Sequence, residues 1–229
     1  MGLSGRFPFW EKHPLGWPGW VRACYRQVWF QGQTENKTLY LTFDDGPDPT
    51  CTPRVLALLR MYGAQATFFC LGKHALAHPE IVRIMAQYGH TVGHHTSKHL
   101  NAWQTPWSRF WADVQQGQAE VQQAVGPATP VRWFRPPYGR LWPQQARKIF
   151  AHYPIALWTH LSGDYAPEFS QHDLYGRCWP PRPGATYVFH DRADTALRIL
   201  PVLERFLIEA SKEGYSFQAL PLPSSPHYT

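Results

Sequence analysis

Charge is scarce in this chain: Asp, Glu, Lys and Arg together make up 17% of its 229 residues. The 22 Lys+Arg outnumber the 16 Asp+Glu, giving a net charge of +6 that favours anionic partners. No basic run of the five to eight residues typical of a nucleic-acid patch occurs, so nucleic acid is not an expected partner. Cysteine is sparse too. Cys24, Cys51, Cys70 and Cys178 lie far apart without a CxxC pair, which argues against a disulfide framework or a zinc ribbon. No stretch reaches the roughly 18 uninterrupted apolar residues of a membrane helix. Pro, Gly, Arg, Glu and Lys interrupt residues 1–30 throughout, so no secretory apolar region is evident, and Arg6 breaks the myristoylation pattern. A cytoplasmic location without a transmembrane segment is the expectation, export by another route being left open. Internal repeats are missing as well.

Aromatic residues, by contrast, are plentiful: 11 Trp, 11 Tyr and 13 Phe. Such rings fill cores and also line polymer grooves. Residues 1–36 read as a non-periodic arm, broken by Pro8, Pro14 and Pro18 and able to bury Trp10, Trp17, Trp20, Trp29 and Phe30 against the main domain. From residue 37, strand and helix signals alternate. Strands are expected at 38–43, 66–71, 90–95, 131–134, 155–161, 186–190 and 215–220. Helices are expected at 53–62, 79–88, 108–125 (with Ser108 as cap), 143–152 and 194–212. That alternation indicates an α/β fold on a parallel sheet, closed or open. Residues 221–229 read as a loose Pro/Ser-rich tail.

Polar residues collect where these strands end, which is where parallel α/β proteins hold ligands. Asp44 and Asp45 follow the first strand, His95 and His99 the third, Arg135 the fourth, Asp164 the fifth, and His190 ends the sixth. The spacing of His95 and His99 puts both imidazoles on one side of a turn, as half of a two-His, one-carboxylate metal site. Either Asp44 or Asp45 could complete it, because Gly46-Pro47 breaks the strand and lets both carboxylates reach one cavity. The other would then be free to take a proton. His90 and His94 read as packing residues, and His74, His78, His152 and His160 show no partner. Trp103, Trp107 and Trp111 could form a sugar-stacking rim, although Trp107 and Trp111 are spaced like one helix face.

Thr42-Phe43-Asp44-Asp45-Gly46-Pro47, His95-Thr96-Ser97-Lys98-His99 and Arg135-Pro136-Pro137-Tyr138-Gly139 resemble, in order, three motifs of the polysaccharide deacetylase family (NodB-homology domain, carbohydrate esterase family 4). The resemblance covers roughly residues 37–220 and makes them one domain between the arm and the tail. It implies a distorted seven-stranded (β/α) barrel and metal-dependent removal of acetyl groups from N-acetylglucosamine-containing glycans of chitin-oligomer or peptidoglycan type. Zinc is the implied ion, with cobalt or nickel as alternatives; the oligomeric state stays open.

Carried onto this chain, the resemblance makes Asp44 the general base, Asp45, His95 and His99 the metal ligands, and Arg135 the residue that orients Asp44. It makes His190 the general acid and Asp164 the carboxylate that keeps His190 charged. Tyr138 supplies the first backbone N–H after Arg135, since Pro136 and Pro137 have none. Tyr138, Trp158, Tyr165 and Val188 are expected to wall the acetyl pocket. The chain departs from the family pattern at Leu161, where a carboxylate is frequent, at Tyr165, where a Trp is usual, and at Val188, where Leu is usual. Two other readings stand beside this one: an esterase cutting O-acetyl groups from polysaccharide, and a non-catalytic glycan-binding protein.

Overall fold

The computed structural model describes Gly16, Tyr25 and residues 28–222. Most of the expected arm, including Trp10, Trp17 and Trp20, and residues 223–229 of the tail lie outside the described residues. Within them the chain runs β1 Thr38–Asp44, α1 Thr52–Met61, β2 Ala66–Cys70, α2 Gly72–Ala77, α3 Pro79–Gln87, β3 Thr91–His94 and α4 Trp107–Val125. A 3-10 turn at Pro137–Gly139 leads to α5 Pro143–Phe150, β4 His160–Leu161, α6 Gln171–Cys178, β5 Thr186–His190, α7 Ala196–Lys212 and β6 Ser216–Phe217.

The six strands form one sheet in the order β3-β2-β1-β5-β4, with β6 also pairing to β1. Every pairing is parallel. Parallel strands need covered faces, and β1 is buried along its whole length. Its alternation divides the molecule. Leu39, Leu41 and Phe43 join Phe68, Tyr187 and Phe189 in an apolar layer under the helices. The Phe43 ring stacks on Phe68 at 5.0 Å and on Phe189 at 5.8 Å. Thr42 and Asp44 point to the opposite face, where the fully buried Arg135 guanidinium donates to both. A second apolar cluster, including Phe110, Val114, Ile149, Ile155 and Val188, lies beneath α4 and α5.

The register places the functional residues together. Asp44 pairs with Phe69 of β2 and His190 of β5, and Cys70 pairs with His94. The C-terminal ends of four strands therefore meet on one rim.

Not all seven expected strands form. Residues 131–134 reduce to isolated bridges of Phe134 with His94 and Ile155, and 155–161 to the Ile155 bridge, one of Ala156 with Trp29, and the two-residue β4. Proline explains this: Pro130, Pro136, Pro137 and Pro154 flank these segments and withhold the N–H groups that a longer ladder needs. The expected strand at 215–220 likewise shrinks to β6. Helix α4 starts at Trp107 after Pro106, and Ser108 does not cap it. Helix α7 starts at Ala196, two residues later than expected, and the short helices α2 and α6 were not expected. Helix α7 carries Pro201 in its interior. Proline has no N–H to donate to Leu197, four residues earlier. The Gln171 side chain, at the start of α6, donates to that Leu197 carbonyl instead at 3.1 Å.

Candidate active site and metal centre

The rim begins where β1 stops. Asp45 takes a left-handed conformation, φ 74°, that non-glycine residues rarely adopt. Gly46 follows, and only glycine fits: a Cβ there would lie 2.2 Å from Asp191 Oδ2. Three contacts hold the turn. His74 donates from Nδ1 to the Asp45 carbonyl at 2.8 Å, Thr52 donates to Asp191 Oδ2 at 2.5 Å, and Leu71 N–H donates to the Gly46 carbonyl at 3.0 Å. Burial pushes the Asp191 carboxyl up to about 8, with Asp45 and Asp44 adding to the rise against the Thr52 hydrogen bond. At neutral pH it is mostly an uncharged acid under the turn.

The histidine loop is seated by α4. Ser97 N–H donates to the Asp113 carbonyl at 3.1 Å, and Lys98 N–H to the Asp113 carboxylate at 3.2 Å. Gly117, one helical turn on, lets the loop lie directly on the helix, since a Cβ there would fall 2.2 Å from the Thr96 carbonyl carbon. Thr96 and His99 share the left-handed backbone, at φ 65° and 59°. With Asp45 and Tyr138 they are the four non-glycine residues of positive φ among the described residues, and all four stand at this rim. Such strain costs about 1–3 kcal/mol per residue and collects at functional sites.

Asp45, His95 and His99 converge so that one donor atom of each lies within 4.8 Å of the others. Asp45 Oδ1 is 3.7 Å from His95 Nε2 and 3.3 Å from His99 Nε2. Three features fit a divalent cation. Asp45 Oδ1 is buried and receives no hydrogen bond. His95 donates from Nδ1 to the Arg135 carbonyl at 2.7 Å, which fixes the tautomer and leaves Nε2 with its lone pair. His99 is held neutral, down to about 4, chiefly by burial and then by His95. The opposite pull acts on Asp45. Burial raises its carboxyl, but His190, His95, His99 and a hydrogen bond from Arg192 outweigh that and hold it well below the usual carboxylate range.

Asp44 lies beside this cluster, 4% exposed, with Oδ1 accepting from Arg135 Nη1 at 2.8 Å. The guanidinium is also bonded to Thr42 Oγ1 and to the carbonyls of Ala156 and Leu157, over the Phe69 ring at 4.1 Å. So many fixed partners leave Asp44 one orientation. Across the rim His190 donates from Nδ1 to Asp164 Oδ1, and its backbone N–H to Oδ2, each at 2.7 Å. Burial lowers the His190 value, but the Asp164 charge and hydrogen bond reverse this and push it up to about 9. His190 is an imidazolium at neutral pH.

The expected acyl-pocket residues divide. Tyr138 is 54% exposed and sets its ring edge against His99 at 4.6 Å, and Tyr165 stands edge-on to His190 at 5.2 Å. Trp158 and Val188 are buried in the second apolar cluster, Trp158 with its ring 5.8 Å from the Arg135 guanidinium. Trp107 and Trp111 stack on each other against that cluster as a helix face, leaving Trp103 exposed. His94 is wholly buried against Phe134 and Tyr153, and His90 accepts from Ala66 N–H, so both are packing residues.

Sequence reasoning missed His74, Asp191 and Arg192. Arg192 donates to Asp45 Oδ2 at 3.2 Å, leaving Oδ1 as the free oxygen. Asp191 and Arg192 directly follow His190, and that adjacency was the available signal. His74 reaches the site only because α2 packs against the turn.

The family model described as polysaccharide deacetylase matches residues 31–158. A peptidoglycan-N-acetylglucosamine deacetylase of Bacillus cereus is 30% identical over 210 residues, covering 90% of this chain and 92% of that protein. A chitooligosaccharide deacetylase of Azorhizobium caulinodans is 38% identical over 161 residues, 69% of this chain and 76% of that protein. Among solved structures, a peptidoglycan N-acetylglucosamine deacetylase in complex with 4-naphthalen-1-yl-N-oxidanyl-benzamide superposes with a TM-score of 0.80. It is 25% identical, over 90% of this chain and 96% of that one. A pseudoenzyme of carbohydrate esterase family 4 from Bacillus anthracis shares the fold, with a TM-score of 0.71 at 21% identity over 83% of this chain and 66% of that one.

Proposed function

The chain belongs to the polysaccharide deacetylase family, and from that premise we propose a metal-dependent hydrolase that removes N-acetyl groups from an N-acetylglucosamine-containing glycan. Asp45 Oδ1, His95 Nε2 and His99 Nε2 would hold the ion. The observation that carries the reading is Asp45 Oδ1, a buried carboxylate oxygen without a donor, facing two imidazole nitrogens. A divalent cation held there supplies polarisation of the acetyl carbonyl and acidification of water. An oxygen and two nitrogens suit zinc first, and cobalt or nickel as well.

The protein's own groups supply the proton traffic. Asp44, fixed by Arg135 through Oδ1, takes the proton of the attacking water at Oδ2. The Tyr138 N–H faces the charge that develops on the carbonyl oxygen. His190 gives its Nε2 proton to the departing nitrogen, since Nδ1 is committed to Asp164. Tyr138 and Tyr165 flank the acetyl group, with Val188 and Trp158 backing the pocket from the core. The Phe134 bridges support reading the sheet as an irregular seven-stranded ring, with residues 131–134 and 155–161 standing in as its weakest strands.

The charged His190 favours amide over ester substrates, because an amine leaves poorly without a proton whereas an alkoxide needs less help. The test is acetate release by zinc-loaded protein from N-acetylglucosamine oligomers, peptidoglycan fragments and O-acetylated xylan, with a chelator control. Release from the amide substrates, lost with chelator, supports the reading. Release from xylan alone makes the protein an esterase, and glycan binding without acetate from any substrate makes it a binding protein.

A further inference from the structure

The Asp45 carboxylate meets different neighbours at its two oxygens. Oδ1 is buried, receives no hydrogen bond, and lies 3.3 Å from His99 Nε2 and 3.7 Å from His95 Nε2. Oδ2 accepts from Arg192 Nη1 at 3.2 Å. The carboxylate is gripped on one side and bare on the other.

Arg192 is itself held in place. Its Nε donates to Asp194 Oδ1 at 2.9 Å and its Nη2 donates to Asp194 Oδ2, a two-point fork that orients the guanidinium plane. That orientation directs Nη1 at Asp45. The backbone is pinned where α7 begins: Arg192 N–H donates to Thr195 Oγ1 at 3.3 Å, and that hydroxyl donates to the His190 carbonyl at 2.5 Å. Three consecutive residues thus serve the rim. His190 bonds to Asp164, Asp191 lies under the Gly46 turn, and Arg192 reaches Asp45. The Arg192 and Asp194 side chains are 38% and 58% exposed, so their ion pair contributes little to the stability of the fold.

A carboxylate with both oxygens free can turn to chelate a cation through the pair of them, which fills one more position on the ion and neutralises more of its charge. The Arg192 hydrogen bond opposes that turn, because Oδ2 would have to give up a charge-assisted donor. The guanidinium charge also repels a cation held at Oδ1. Both effects weaken the hold on an ion and preserve its power to polarise a carbonyl.

We propose that Arg192 is a positioning residue that confines Asp45 to ligation through Oδ1 alone, so that the cation keeps more of its charge and one more position for water and substrate. The proposal rests on the metal-dependent reading and adds to it a residue that sets how the metal is held.

The test compares zinc-loaded wild-type protein with Arg192→Met, which removes the donor and the charge at similar length. Crystals of the zinc-loaded wild type are expected to show Oδ1 alone within bonding distance of the ion, and crystals of Arg192→Met both oxygens. In competition with a chromophoric chelator, Arg192→Met should bind zinc about tenfold more tightly, a change of about 1.4 kcal/mol. Its kcat for acetate release from N-acetylglucosamine oligomers should fall about tenfold, with KM within about threefold of wild type. Arg192→Lys keeps the charge and should recover part of both values. Asp194→Asn loosens the fork without touching Asp45 and should shift both values in the same directions by about threefold. An arginine with only a structural role predicts the opposite sign: weaker zinc binding together with a lower urea midpoint. Weaker or unchanged zinc affinity in Arg192→Met, ligation through both oxygens already in the wild type, or a loss that falls on KM alone would overturn the proposal. Failure of the functional reading looks different: the wild-type protein would take up no zinc, or would release no acetate from any glycan when loaded, whatever the variants do.

Discussion

The two faces of strand Thr38–Asp44 do opposite kinds of work within seven residues. Leu39, Leu41 and Phe43 enter the apolar layer under the helices. Thr42 and Asp44, one residue out of phase, meet the buried Arg135 guanidinium. The first face is stabilised by area removed from water, roughly 25 cal/mol per Å². The second is a desolvated ion pair, which contributes little net stability but leaves a charge stranded if either partner is removed. Apolar packing and the candidate catalytic carboxylate thus lie on separate sides of one strand, and substitutions on the two sides should separate in the same way.

The largest expected effect comes from the inner face. Asp44→Asn should lower kcat/KM for acetate release by about 10³-fold, within the range for losing an acid or base group, with bound metal retained by elemental analysis. A rate within tenfold of wild type would remove Asp44 from the base role. On the outer face, Phe43→Ala should destabilise the protein by about 3–5 kcal/mol in urea unfolding, while the folded fraction keeps its turnover within a few-fold. Equal losses of rate and stability would break the division between the faces.

A third test addresses the charged pair on the rim. In metal-free protein, the His190 ring should titrate near 9 by NMR, and Asp164→Asn should lower that value, because burial is then opposed only by Asp45 and Asp44. Because the folded value is raised, the stability this pair contributes is fully present below about pH 6.5 and is lost as pH rises through about 9. The stability gap between wild type and Asp164→Asn should narrow over that window. The smallest effect belongs to the contact between helices α6 and α7. Gln171→Ala should cost about 1 kcal/mol, because it leaves the Leu197 carbonyl opposite Pro201 without its donor. Turnover should be unaffected.

Much of this was legible in the residues. Asp44-Asp45-Gly46-Pro47 and His95-x-x-x-His99 marked a candidate metal site and a candidate base, because strand alternation, a forced turn and local spacing are short-range properties. The alternation of strands and helices was legible for the same reason. The two weak strands were not, since hydrophobicity at 131–134 and 155–161 signals burial while flanking prolines limit the ladder. Burial and pairing are different requirements. The burial of Trp158 and Val188 in the second apolar cluster was not legible either, since it depends on which elements pack over them.

What the sequence determined by itself was the chemistry available and the rim where it would collect, because side-chain identity and local turn geometry are written residue by residue. What only the tertiary structure decided was which partners each of the two adjacent carboxylates meets. Arg135 reaches Asp44 across the sheet, while Arg192 and the two histidines reach Asp45 from the other side. Those partners lie up to 147 residues away. The distinction between a carboxylate fixed by one guanidinium and a carboxylate with one bare oxygen arises only when the folded chain brings them into contact.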